Sequence, residues 1–265
     1  MAQGALLGRE TVSWRVNREA VLLAGGGRAL LLQVAHPRVA AGVEQHSDYA
    51  THPWQRLYRT LDTTYKILFG DPEISARATK RLAGRHGPVK GTADDGSAYS
   101  ARDVDLLLWV WATLVDTSLL VYERCFARLT AAERERYLSE QKLFAYACGV
   151  PEGSCPVGVA EFRDYFETAL REDMRVTDAA RAVGRSIATP KLPRALRPAL
   201  APNWLLSAGL LPARLREEYG FAWGPGRQRL LNLSLATLRG AGRVTPRPLR
   251  QLPVELVASG RWGAA

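Results

Sequence analysis

The chain has 265 residues and a mass of 29.2 kDa, with 47% hydrophobic and 23% charged residues; this suits one large domain with a sizeable core and excludes wholesale disorder. Three cysteines, Cys125, Cys148 and Cys155, form no metal or redox motif, and their odd number argues against a disulfide scaffold. The net charge of +10 is unevenly spread: residues 1–173 hold 21 basic and 22 acidic side chains, residues 174–265 hold 15 and four.

Helical signals recur along the chain and strand signals do not. Trp14 to Leu23 has apolar positions at helical spacing, interrupted by Gly25-Gly26-Gly27, and Arg28 to Ala35 resumes the pattern. The glycines lack a preceding strand and the G-x-G-x-x-G spacing, so they make no dinucleotide loop. Pro37 suits the first turn of a helix, and Pro53 opens another that stops at Gly70. Asp71-Pro72-Glu73 predicts a cap and a helix over 72–86, ended by His86-Gly87-Pro88 and a turn-rich loop at 92–96. Ser100-Ala101-Arg102-Asp103 resembles a capping box ahead of the most apolar stretch, which predicts a central buried helix over about 102–127. Asp105 and Asp116 interrupt that stretch, against a membrane span. Thr130 and Glu133 form a stronger capping box for a helix to about Ala147, and 159–172 and 177–188 read as amphipathic helices. Prolines 190, 193, 198 and 202 mark a connection, 204–211 and 227–239 read as short helices, and the tail after Pro246 reads as irregular. The expected fold is all-α, a single-domain multi-helix bundle: a core over 1–188 with a basic, proline-interrupted extension over 189–265 packed on it.

Of the 36 basic residues 31 are Arg, and no nucleic-acid motif or alternating aromatics accompany them. The basic third reads as a solvated face, with peripheral contact to an acidic partner or membrane as its functional use. The first residues lack a basic segment followed by an apolar one, so the expected compartment is the cytoplasm. Four histidines, His36, His46, His52 and His86, lack the i, i+4 spacing of a metal helix, and Glu44 and Asp48 flank His46 at spacings that point different ways, so no metal site is expected. Arg56, Arg59 and Thr60 share one helix face and could hold a carboxylate, phosphate or oxygen ligand; a solvent-facing or carboxylate-paired stripe is the plainer reading. Asp116 among apolar residues needs a partner, for which Arg18, Arg28, Arg56 and Arg59 are candidates; an ion pair is the plainer role and proton transfer the sharper one.

The segments LLLQVAHPRVAAGVEQHSDY, WQRLYRTLDTTYKILFGDPE, HGPVKG and YSARDVDLLLWVWATLVDTSLLVYERCF resemble, in order from about Trp14 to Leu170, the oxygenase family that includes the rubber oxygenase (latex clearing protein) and the fungal MpaB enzymes. The resemblance implies an all-helical protein with haem b and dioxygen chemistry on carbon–carbon double bonds of isoprenoid chains. It likens Arg56, Arg59 and Thr60 to the family's distal Arg-x-x-Lys-Thr pattern. It also places Trp111, in Trp109-Val110-Trp111-Ala112-Thr113-Leu114, where relatives carry the proximal histidine of W-V-H-A-T-L. An indole offers no lone pair to iron. Two readings therefore stay open: haem held by His36, His46, His86 or a non-histidine group in an oxygen-using oxidoreductase, or a haem-free protein that binds or transforms an apolar, isoprenoid- or polyketide-like ligand. A non-catalytic module docking through the basic third is the third class.

Overall fold

The computed structural model describes residues 6–47, 53–188 and 201–258. Among them the chain is all-α with one small hairpin. Helix α1 (Val12–Asn17) is followed by a 3₁₀ turn (Ala20–Gly25), α2 (Gly26–Val34) and α3 (Pro37–His46). Helices α4 (Pro53–Phe69) and α5 (Pro72–His86) lead to strands β1 (Lys90–Thr92) and β2 (Ala98–Ser100), then α6 (Val104–Cys125), α7 (Ala131–Ala147), α8 (Val159–Glu172) and α9 (Asp178–Ala188). Helices α10 (Ala201–Gly209), α11 (Ala213–Glu218), α12 (Pro225–Val244), α13 (Arg247–Arg250) and α14 (Leu252–Ala258) complete the described chain.

The predicted central helix is α6, packed by α1, α2, α7, α8 and α12. It is long and apolar enough to cross a membrane by composition, yet Trp109, Trp111, Ala112, Val115 and Val121 are buried in the protein core. Its two tryptophans anchor different neighbours. The Trp109 indole N–H donates to the Leu32 carbonyl (3.2 Å) and its ring stacks on Phe166; the Trp111 N–H donates to the Gln141 carbonyl (2.9 Å) and its ring meets Phe162 edge-on. Gly25 permits the close approach of the 3₁₀ turn to α6, because a Cβ there would come within 2.6 Å of Thr117 Cγ2 and 2.9 Å of Val121 Cγ2.

The caps at Asp71 and Thr130 form as expected, the latter with Thr130 and Glu133 exchanging both capping bonds. Other expectations are corrected. The glycine triplet does not break the chain: Gly26 and Gly27 are the first turn of α2, and the interruption is the 3₁₀ turn before them. Asp103, not Ser100, caps α6, and its carboxylate accepts the Ser100 N–H at 2.8 Å. The loop at 92–96 is the tip of an antiparallel hairpin with Gly91 opposite Tyr99; its three-residue strands carry too few alternations to read as strands.

The described part of the tail after Pro246, to Ala258, is helical: Pro246 precedes α13, and Pro248 sits in its first turn, where a missing N–H costs nothing. The tail is tied back to the start of the chain through buried Glu19, which is ion-paired with Arg250 (3.1 Å to Nε) and accepts a hydrogen bond from the Gln251 side-chain amide (2.8 Å). The connection expected around the prolines at 190–198 lies outside the described residues. Helix α12 buries Leu231 and Leu235 but presents Leu230, Leu233 and Val244 outward, the last two 64% and 81% exposed. From Tyr219 to Val254 the chain has six arginines and no acidic residue.

Candidate functional site

A cavity of about 650 Å³ opens beside α6, and each surrounding helix contributes to it at helical spacing. From α6 come Leu107, Val110, Trp111 and Leu114; from α3, Val39, Gly42, Val43 and His46; from α4, Thr60, Thr63, Thr64 and Ile67. Leu82, Arg85 and His86 close it from α5, Tyr99 from the hairpin, and Phe144 and Cys148 from the end of α7. The inner wall is largely apolar, with the Thr63 hydroxyl its buried polar exception, and includes Trp111, which is 2% exposed, whereas Arg59, Thr60 and Arg85 are exposed at the mouth.

The residues singled out in the sequence separate into two groups. Trp111, Arg59, Thr60, His46 and His86 meet at this one cavity. The Arg56 side chain and all of His52 lie outside the described residues. His36 does not line the cavity: it caps α3, its Nδ1 accepting the Arg38 N–H at 3.3 Å, and burial followed by the Arg38 charge lowers its pKa. Asp116 lies outside the lining and is held at 2.6 Å from Arg28, which also donates to the Leu210 carbonyl (2.8 Å) and Thr117 Oγ1 (2.5 Å). Its placement is that of the ion pair, on the far side of α6's role as a cavity wall. Among the described lining residues there is no carboxylate to act as a general acid or base.

Electrostatics follow from burial and near neighbours. Burial and the charge of Arg102 lower the pKa of His86, which favours its neutral imidazole. His46 Nε2 lies 3.2 Å from the Lys90 carbonyl, and its ring meets Tyr99 edge-on. Arg38 is paired with Asp103 and Asp105. Burial raises the Cys148 thiol to about 12, so it is no nucleophile near neutral pH. Sequence reading missed Arg85, Tyr99 and the threonines. The last were accessible, since Thr63 and Thr64 continue the Arg59–Thr60 face by one turn.

The family resemblance implies haem, and the side chain at the α6 position does not fit an iron ligand. Trp111 uses its only polar hydrogen on the Gln141 carbonyl, has no lone pair to offer, and fills the wall with an indole packed on Phe162. Among the described residues no three His, Cys, Asp or Glu side chains group as a metal site.

A second cleft, of about 530 Å³, lies between α6 and α12, where Arg134 closes on Glu123 through both carboxylate oxygens. It gathers none of the candidate site residues singled out in the sequence.

The model of the family described as ER-bound oxygenase mpaB/B'/Rubber oxygenase, catalytic domain, matches residues 14–244. The match extends beyond the segments that carry the resemblance, through the end of α12. No curated protein and no solved structure matches the chain.

Proposed function

We propose, from the premise that this chain belongs to the mpaB/B'/rubber oxygenase catalytic-domain family, that its cavity binds an apolar small molecule of isoprenoid or polyketide character without an iron ligand on α6. The family suggests oxygenase-type activity as the reaction class. The observation that carries the reading is Trp111, a buried, hydrogen-bonded indole in the cavity wall at the position where the resemblance expects the iron-binding imidazole. The apolar wall supplies affinity in proportion to the ligand surface it removes from water, while the exposed polar side chains at the mouth, Arg85 among them, lie where the ligand's polar end would meet solvent. Asp116, committed to Arg28, takes no part in proton transfer in this account.

A neutral apolar fluorophore such as Nile red is expected to bind saturably at one site per chain. Val110→Trp, which fills the cavity from α6, is expected to abolish that binding while the helical circular dichroism persists. Unchanged binding in the variant would place the fluorophore elsewhere and overturn the reading.

We propose further that the outward face of α12 contacts an anionic bilayer, a reservoir of apolar ligands. Exposed Leu230, Leu233 and Val244 lie among Arg227, Arg229 and Arg243 on a stretch free of acidic residues, a combination that suits the headgroup boundary. Flotation with phosphatidylserine vesicles, weakened by salt and by Leu230→Ser with Leu233→Ser, is expected; equal flotation with neutral vesicles, or none, would contradict it.

A further inference from the structure

The charge pattern of the cavity names the ligand class more closely. Its described lining holds three arginines and two histidines but no aspartate or glutamate. These basic side chains are not equivalent. Arg38 already has two carboxylate partners, Asp103 and Asp105. His86 is inside the cavity wall, where burial and the Arg102 charge disfavour its charged form. Arg85 is exposed at the mouth and, among the described residues, makes no ion pair or hydrogen bond. The inner wall of Val110, Trp111, Leu114 and Phe144 offers nothing charged. A cavity that is apolar within and cationic at its rim, with no competing acid, is complementary to an amphiphile: one negative head and a hydrocarbon body.

We infer that the cavity takes a long-chain carboxylic acid, its hydrocarbon body against Trp111 and Val110 and its carboxylate on the guanidinium of Arg85. Among the described lining arginines Arg85 alone lacks a partner, its single charge matches that of a carboxylate, and its planar fork can donate to both carboxylate oxygens. Because the head meets Arg85 at the open mouth, the carboxylate keeps part of its hydration and escapes most of the cost of burying a charge. Thr60, also exposed at the mouth, supplies a hydroxyl within the same lining. The inference rests on the apolar-ligand reading above and narrows it to acids.

The test is competition for Nile red by dodecanoic acid and by its methyl ester, which share a tail and differ in the charge of the head. At low salt the acid is expected to displace the fluorophore at a concentration at least about tenfold below that of the ester, an advantage that shrinks as salt screens the pair. Arg85→Gln is expected to remove the advantage and leave the ester unchanged; its exposed site makes loss of folding no concern. Equal displacement by acid and ester, with Arg85→Gln indifferent, would overturn the acid preference while the apolar-ligand reading stands. Displacement by neither, with Nile red unbound, would overturn both.

Discussion

Arg28→Met is expected to lower the free energy of unfolding by about 3 kcal/mol, as when one partner of a buried ion pair is removed. Arg28 is 5% exposed in its side chain and joins three parts of the fold: Asp116 and Thr117 on α6, and the Leu210 carbonyl after α10. Methionine fills most of the volume but leaves the Asp116 carboxylate, only 29% exposed, without a cation and the Leu210 carbonyl without its donor. For a chain of this size the loss amounts to a fall in Tm of roughly 6–12 °C. Urea unfolding followed by circular dichroism measures it. Adding Asp116→Leu to Arg28→Met should recover part of the loss, because the stranded charge goes with it. Nile red binding should survive in the double variant, since neither residue lines the cavity. A loss under about 1 kcal/mol for Arg28→Met would mean that the pair does not hold α2 to α6.

Trp111→His is expected to act in two directions. Removing a buried indole, its contact with Phe162 and its bond to the Gln141 carbonyl costs about 3 kcal/mol, near the lower end for a large aromatic in a packed core. The same change puts a lone pair on the cavity wall where the wild-type side chain has none. The variant is therefore expected to take up haem b with a saturable change in its Soret absorbance, a property the wild-type protein is expected to lack. A variant that folds, by circular dichroism, and still shows no haem binding would mean that the α6 wall does not correspond to an iron-ligand position.

Much of the fold was legible because its signals are local. Asp71-Pro72 and Thr130 with Glu133 name helix starts directly, and the unbroken apolar character of α6 marks it as the central helix. Where reading failed, one residue type served two ends. Pro246 and Pro248 open a helix as readily as they end one, and only the tertiary bonds from Arg250 and Gln251 to Glu19 show which. The hairpin was hidden because three residues are too few to display a period.

The site was legible in part for the same reason. The i, i+3, i+4 spacing of Arg56, Arg59 and Thr60 puts them on one face, but that Arg59 and Thr60 meet Trp111, His46 and His86 is a fact of packing between distant segments. The pairing of Asp116 with Arg28, rather than with Arg18 or Arg59, depends likewise on how α2 docks against α6. Arg85 could not be chosen from among its neighbours on α5 without knowing which of them faces the cavity.

The most direct test is a titration of the purified wild-type protein with haem b, followed in the Soret region. With Trp111 in the wall, no saturable one-to-one spectral change is predicted. A stoichiometric Soret change in the wild type, abolished by His86→Ala, would locate an iron ligand elsewhere on the same cavity and contradict the account.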